Sequence, residues 1–357
     1  MNGYPEKKNI QYYALIVKVL IGINLVKIRN KKTKIFNKIK MENKIKVFDA
    51  FAGYGGATFG MKRANIPHEV IGYSEINSYA IKIFELNHEG IKNYGDITKI
   101  NPNDLPDFDF FTGGFPCQSF STVGKGHGEL DTRGTLFNDI IRICEVKQPT
   151  FILLENVKGL VMNKHKQTFL KIVSELKKIG YNVIYELLNS KDYGLPQNRE
   201  RIWIFATKKE IPFGWTISPR KEELKIFFKD LLEDNPDKKY YKNEKQIDRL
   251  IEITGVNLDV KEPSCFDIYN KKVRHDGVSM TITEPYHNTL RVVEPKKDGK
   301  FIVRKMTEKE HFRFMGFKDG EIDWGDLSYV QSGGCAGNGW DINLVSRIMK
   351  KIFEEFN

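Results

Sequence analysis

The feature that most constrains this 357-residue sequence is an apolar run that ends in a cluster of glycines: Lys46 to Phe51, then Phe51-Ala52-Gly53-Tyr54-Gly55-Gly56. A run of that length and composition reads as a strand, glycines directly after it permit a tight turn, and Gly60 to Asn65 continues as helix. A strand, a glycine turn and a helix open an α/β domain, whose sheet binds nucleotide-like ligands at its carboxyl edge. The alternation continues. Glu69–Tyr73, Phe108–Phe111, Phe151–Leu154, Tyr181–Leu188 and Ile202–Ala206 read as further strands. Tyr79, Ile83, Phe84 and Leu86 recur at helical spacing, and Leu136–Val146 and Phe169–Ile179 read as helices.

After Thr207 the alternation stops. Residues 211–300 hold charged stretches such as Lys238-Lys239-Tyr240-Tyr241-Lys242, several prolines and poor periodicity, as expected of a small domain inserted into a larger one. Helical character returns at Thr307–Met315 and Asp341–Phe356. The expected organisation is therefore an extension (1–44), a first part of the main domain (45–210), the insertion (211–300) and a closing part of the main domain (301–357).

Net charge locates less than it promises. The chain carries +11, but residues 1–40 hold ten Lys/Arg against one acid, Glu6, and so supply +9 of it. Charge confined to one terminal stretch describes a tail more than a domain. Met41 directly precedes the first strand and reads as a natural start, placing the stretch before it outside the fold. Around the end of the insertion, residues 271–305 carry nine Lys/Arg against four acids, a local +5 suited to phosphate contact.

Cys117, Cys144, Cys265 and Cys335 lie far apart with no CxxC pair, which points away from disulfide frameworks and zinc modules and toward a reducing, cytoplasmic setting. The most apolar stretch, Tyr12 to Val26, is interrupted by Lys18 and Asn24 and falls short of the roughly 20 residues that a spanning helix needs. No metal site and no membrane partner are expected.

Four motifs carry chemistry. Beyond the glycine turn, Glu75 ends the second strand, where a carboxylate can take a ribose hydroxyl pair, and Asp96 in Gly95-Asp96-Ile97 can receive an adenine amino group. Gly113-Gly114-Phe115-Pro116-Cys117-Gln118-Ser119-Phe120-Ser121 sets a cysteine in a stiff turn after a strand, with Lys125 and Arg133 nearby to make the thiol's surroundings electropositive. Cys144 sits in an apolar helix pattern and reads as core, while Cys265 and Cys335 have no nucleophile context. Glu155-Asn156-Val157 puts a carboxyl group at a strand end, where a dry pocket would keep it protonated and able to donate. In Gln197-Asn198-Arg199-Glu200-Arg201 the two arginines alternate at strand spacing, which suits either orienting an acid or forming a surface ion-pair cluster.

In this order the motifs resemble the DNA (cytosine-5) methyltransferase family of bacterial and phage type. The similarity runs from about Lys46 to Ala206 and resumes from about Arg304, with Arg133 to Ile143 (RGTLFNDIIRI) among the matching runs and GGFPCQSFS the most specific. The resemblance implies a Rossmann-like, S-adenosylmethionine-dependent α/β methyltransferase domain with a small inserted target-recognition domain. It further implies cofactor binding by Phe51, Gly53, Gly55, Gly56, Glu75, Asp96, Ile97, Pro116, Leu136 and Asn338. Cys117 would be the nucleophile and Glu155 the acid at ring nitrogen 3, with Arg199 and Arg201 supporting Glu155 and the base.

A thiolate adding at carbon 6, with an acid at nitrogen 3, makes carbon 5 of cytosine nucleophilic enough to accept a methyl group. Duplex DNA is the implied partner, with its target base flipped out and Gln118 to Arg133 closing over it. Gln118, Ser121, Lys125 and Arg133, and within Asp276–Arg291 the residues Thr281, Thr283, His287 and Arg291, are the expected DNA contacts. A monomer is expected, with any cognate restriction endonuclease acting separately. Two other readings stand beside this one: an RNA (tRNA) cytosine methyltransferase, and a non-catalytic DNA-binding protein that retains the fold.

Two departures from the family pattern occur. Gly337-Asn338-Gly339-Trp340 stands where the family has Gly-Asn, a small residue and Val, and Ala57 stands where it often has a larger residue. The first leaves open what takes the place of the valine's contact with the cofactor.

Overall fold

The computed structural model describes residues 44–116, 136–162, 165–284, 290–296 and 299–356. Ile45–Asn357 makes one compact unit. Its centre is a six-stranded sheet built from β1 (Ile45–Ala50), β2 (His68–Ser74), β3 (Phe110–Gly114), β4 (Phe151–Val157), β5 (Asn182–Asn189) and β6 (Glu200–Thr207), in the order β2-β1-β3-β4-β6-β5. The pairs β1–β2, β1–β3 and β3–β4 are parallel, whereas β6 runs antiparallel to both β4 and β5. That reversal has a functional consequence: the start of β6 lies at the edge where β1 to β4 end, so Arg199 and Arg201 reach the same rim as Glu75 and Glu155.

Helices cover the two faces: α1 (Gly56–Arg63), α2 (Ser78–Asn87), α3 (Leu136–Lys147), α4 (Lys166–Lys178) and, after the small sheet described below, α6 (Glu308–Arg313), α7 (Tyr329–Asn338) and α8 (Ile342–Phe356). One core cluster joins Val47, Phe110, Leu153 and Phe205 to Ile348, Met349 and Phe353 of α8. The other joins Phe48, Phe111, Ile152 and Ile204 to Ile140, Ile143 and Cys144 of α3 and Phe169 and Ile172 of α4. Strands buried on both faces explain the near-continuous apolar runs in the sequence. Cys144 is fully buried, and burial pushes its thiol pKa up, as its core position predicts.

The expected elements all form, with shifted ends. The first helix begins at Gly56 rather than Gly60, because Gly55, at φ +88°, turns the chain straight into it. Residues 211–300 are less irregular than their composition indicates. They contain α5 (Glu244–Thr254), closed at its start by reciprocal Asn243 and Gln246 bonds, and the strands β7 (Ser264–Asp267), β8 (Lys272–Arg274) and β9 (Leu290–Pro295). With β10 (Phe301–Arg304) these strands form an antiparallel sheet in the order β10-β9-β7-β8, which reaches past residue 300. Its own cores hold Cys265, Ile282, Val292 and Phe314 on one side and Ile247, Phe266, Val293 and Val303 on the other. Arg304, fully buried, ties this sheet to α6 through two bonds to Glu310 and bonds Glu294 of the neighbouring β9, each at 2.8 Å.

Candidate active site

A cavity of about 850 Å³ opens at the carboxyl edge of the large sheet. Phe51, Gly53, Glu75, Asp96, Ile97, Pro116, Leu136, Glu155, Arg199, Arg201 and Asn338 all line it, so segments spread over nearly 290 positions converge on one space. Gly55 and Gly56 do not. Both are closely packed: a Cβ on Gly55 would meet the His88 ring at 2.3 Å, and one on Gly56 would meet Trp340 at 3.1 Å.

The glycine turn is held open by Glu75. One of its carboxylate oxygens accepts the Gly53 N–H at 2.9 Å, and the other accepts the Ile76 and Asn77 N–H groups, both at 2.8 Å. A single side chain thereby fixes the β1–α1 turn and the entry to α2. Phe51 and Gly53 both adopt positive φ, the conformation this turn requires. Asp96 accepts the backbone and hydroxyl protons of Thr98, which hold its carboxyl below the usual range and therefore ionised at neutral pH.

Glu155 pairs with Gly114 across β3–β4 and sits diagonal to Arg201 across β4–β6. It is 8% exposed, and Arg201 Nε lies 2.9 Å from its Oε1. Burial raises its pKa above the normal carboxyl value, against the opposing pull of Arg201, Arg199 and a hydrogen bond from Trp340. Arg199, whose charge also acts on Glu155, makes its hydrogen bonds elsewhere. Its guanidinium donates to the carbonyls of Ile282 (3.1 Å), Gly337 (3.1 Å) and Gly339 (2.7 Å), so its hydrogen bonds clamp α7 and the 279–284 segment to the start of β6. Burial, with Arg201 nearby, brings its pKa down to about 9, which leaves it charged at neutral pH.

The far wall of the cavity comes from one face of α7. Gln331, Gly334, Cys335, Gly337 and Asn338 line it at helical spacing, together with Ser328 and Val330, and Glu284 faces them. Of these only Asn338 is expected from the sequence, although the Ser328–Gln331 pair is a legible start signal: the Ser328 N–H donates to Gln331 Oε1 at 2.9 Å. Asn338 Nδ2 donates to Glu284 Oε1 at 2.5 Å. Burial pushes the Cys335 thiol up to about 12, which suits an unreactive wall residue. Ile76, 74% exposed at the end of β2, is a further lining residue, signalled by a large apolar side chain directly after a strand-end carboxylate.

Of the expected DNA contacts, Thr281 donates its hydroxyl proton to the Asn198 carbonyl at 2.7 Å, Thr283 packs its backbone against Gly337, and Arg291 of β9 donates to the Leu290 carbonyl at 2.6 Å. Thr281 and Thr283 thus act at the seam between the two sheets. Cys117, Gln118, Ser121, Lys125, Arg133 and His287 lie outside the described residues. Among the described residues, no group of acidic, histidine and cysteine side chains could hold a metal ion, and no helix is long and apolar enough to cross a membrane.

A sequence model of C-5 cytosine-specific DNA methylases matches residues 45–354. The chain belongs to that family. It is a DNA (cytosine-5) methyltransferase. It is 36% identical over 322 residues to the type II methyltransferase M.HaeII of Haemophilus aegyptius, covering 87% of this chain and 94% of that protein. It is 30% identical over 380 residues to the type II methyltransferase M2.ScrFI of Lactococcus lactis subsp. cremoris, covering 87% and 99%. The fold is shared with a DNMT2 mutant from Spodoptera frugiperda (TM-score 0.70, 19% identity, covering 87% of this chain and all of that one) and with the S. pombe Dnmt2 methyltransferase (TM-score 0.64, 22% identity, 88% and 100%).

Proposed function

We propose that this methyltransferase modifies cytosine within a specific duplex DNA sequence, through a covalent adduct of Cys117 with a flipped-out base and with S-adenosylmethionine as methyl donor. The observation that carries the reading is the convergence of Glu155, Arg201, Glu75, Asp96 and Pro116 on one cavity, with Cys117 the residue directly after Pro116.

The cavity suits the donor chemically. The Glu75 carboxylate can accept ribose hydroxyls, Asp96 and Ile97 present a polar and an apolar edge to an adenine, and Phe51 and Ile76 add apolar surface. S-adenosylmethionine bound there supplies the methyl group that carbon 5 takes up. The chain's own residues prepare the base. The Cys117 thiolate adds at carbon 6 while Glu155, whose pKa burial raises, serves as the acid at nitrogen 3, so electron density gathers at carbon 5. After methylation, loss of the carbon 5 proton expels the thiolate and restores the ring. Flipping costs a few kcal/mol, offset by contacts in the cavity.

Residues 211–300 serve as the target-recognition domain, with the exposed Lys271, Lys272, Lys296 and Lys300 against the phosphates. We read the enzyme as a cytoplasmic monomer. The resemblance to type II methyltransferases favours a role beside a separate restriction endonuclease.

A duplex carrying 5-fluorocytosine at the target is the direct test. With S-adenosylmethionine it should trap a stable adduct on Cys117, whereas an unchanged methylation rate in Cys117→Ser would refute the covalent route. Methylome sequencing of a methylation-free bacterium expressing the protein gives the target. Methylation of tRNA as fast as duplex DNA would instead select the RNA reading.

A further inference from the structure

We propose that Trp340 is a positioning residue for Glu155: its indole N–H holds one side of the carboxyl group while Arg201 holds the other, so the residue that replaces the family's valine acts on the acid. This rests on the reading of Glu155 as the acid at nitrogen 3.

Trp340 follows α7 and is 7% exposed. Its ring meets Trp203 of β6 edge to face, with centroids 5.0 Å apart at 70°, and its carbonyl accepts the Tyr54 hydroxyl. Its Nε1 lies 2.8 Å from where a Cβ on Gly114 would be, and Glu155 Oε2 lies 3.5 Å from that same point. The two groups therefore meet over the bare backbone of Gly114, the register partner of Glu155, with the indole placed where it favours the ionised carboxyl. Arg201 Nε occupies the other oxygen at 2.9 Å.

The choice of donor has a chemical reason. A carboxyl group that must deliver a proton has to be oriented without being locked in its ionised form. A second cation in this position would stabilise the carboxylate, whereas a neutral N–H orients it with a weaker bias. The charged and titratable groups facing Glu155 are Arg201 and Arg199 at the start of β6 and Tyr54 of the glycine turn, with Asp341 acting on Arg199 and Tyr54. Burial outweighs the donors and keeps the Glu155 pKa raised. The same geometry explains Gly114, because a side chain there would occupy the space of the indole nitrogen.

Trp340→Phe keeps an aromatic ring against Trp203 and deletes the N–H. On a duplex that the wild type methylates, single-turnover methyl transfer should fall about tenfold at its acidic plateau. The alkaline limb of the pH profile should move to higher pH, because a donor that favours the ionised acid is gone, while KM for S-adenosylmethionine holds within about twofold. A wild-type rate and pH profile in Trp340→Phe, with Glu155→Gln inactive, overturns this inference alone. A raised KM with no shift of the limb overturns it in favour of a packing role. A wild-type rate in Glu155→Gln overturns the reading beneath it.

A second measurement does not depend on that variant folding. Of the four tryptophan indole N–H resonances, that of Trp340, assigned by triple-resonance connectivity, should shift in Glu155→Gln. An unmoved resonance refutes the hydrogen bond.

Discussion

The two walls of the cavity are built by different means. The sheet wall consists of the ends of β1 to β4 and the start of β6, and its side chains are placed by strand register and by bonds to nearby backbone, as Glu75 is by the N–H groups of Gly53, Ile76 and Asn77. The helix wall, α7 with Glu284, has little such scaffolding of its own. It is placed by close approach and by one buried cation: Gly337 against the Thr283 backbone, Gly339 against the Tyr54 ring, and Arg199 on three carbonyls. The sheet wall carries Glu155, the acid proposed above, and the carboxylates of Glu75 and Asp96, where a change is expected to remove chemistry. A change in the helix wall removes position, and so registers first as stability.

That contrast can be broken in four ways. Glu155→Gln, on the sheet wall, should lower single-turnover methylation about a thousandfold while leaving the melting temperature near wild type, because the amide keeps the shape and loses the acid. Loss of folding instead would mean that Glu155 is mainly structural. Arg199→Lys, at the hinge of the helix wall, cannot reach Ile282, Gly337 and Gly339 together, and each carbonyl left without a donor costs about 1–3 kcal/mol in denaturant unfolding. A loss in activity without a loss in stability would contradict the clamp. Gly337→Ala places a Cβ 2.5 Å from the Thr283 carbonyl carbon, which must shift, and should cost about 2 kcal/mol by the same measurement.

The smallest effect concerns Asp49 of β1. It is buried beside Thr112, with Oγ1 donating to Oδ1 at 2.7 Å, and burial raises its pKa from 3.8 to about 8. The folded protein thus holds a proton that the unfolded chain releases between those values, so this group's contribution to stability falls as pH rises through that window. Asp49→Asn should flatten the fall in melting temperature between about pH 5 and pH 8 by a few degrees; an unchanged slope would show that the group does not hold its proton in the folded state.

Much of the sheet wall was legible. Apolar runs bounded by turns gave the strands, and the chemistry-bearing residues follow those runs directly, so Glu75, Asp96 and Glu155 could be placed by counting. The reversed direction of β6 was not legible, because antiparallel and parallel strands share the same pattern when both faces are buried. The α7 helix was missed because Ser332-Gly333-Gly334-Cys335-Ala336-Gly337 has poor helix propensity, and tertiary packing overrides it. Gly55 and Gly56 carry a second constraint that the sequence does not show, because a side chain at either would meet His88 or Trp340.

The sequence by itself determined the α/β class and the family, because each depends on residue types at short, fixed spacings along a strand and its turn. Only the tertiary structure decided that Arg199 clamps the helix wall, that Thr281 serves the seam between the sheets, and that Trp340 faces Glu155. The physical reason is the same in each case: these side chains are directed by backbone and rings more than 75 positions away, and contacts of that range leave no periodicity in the chain.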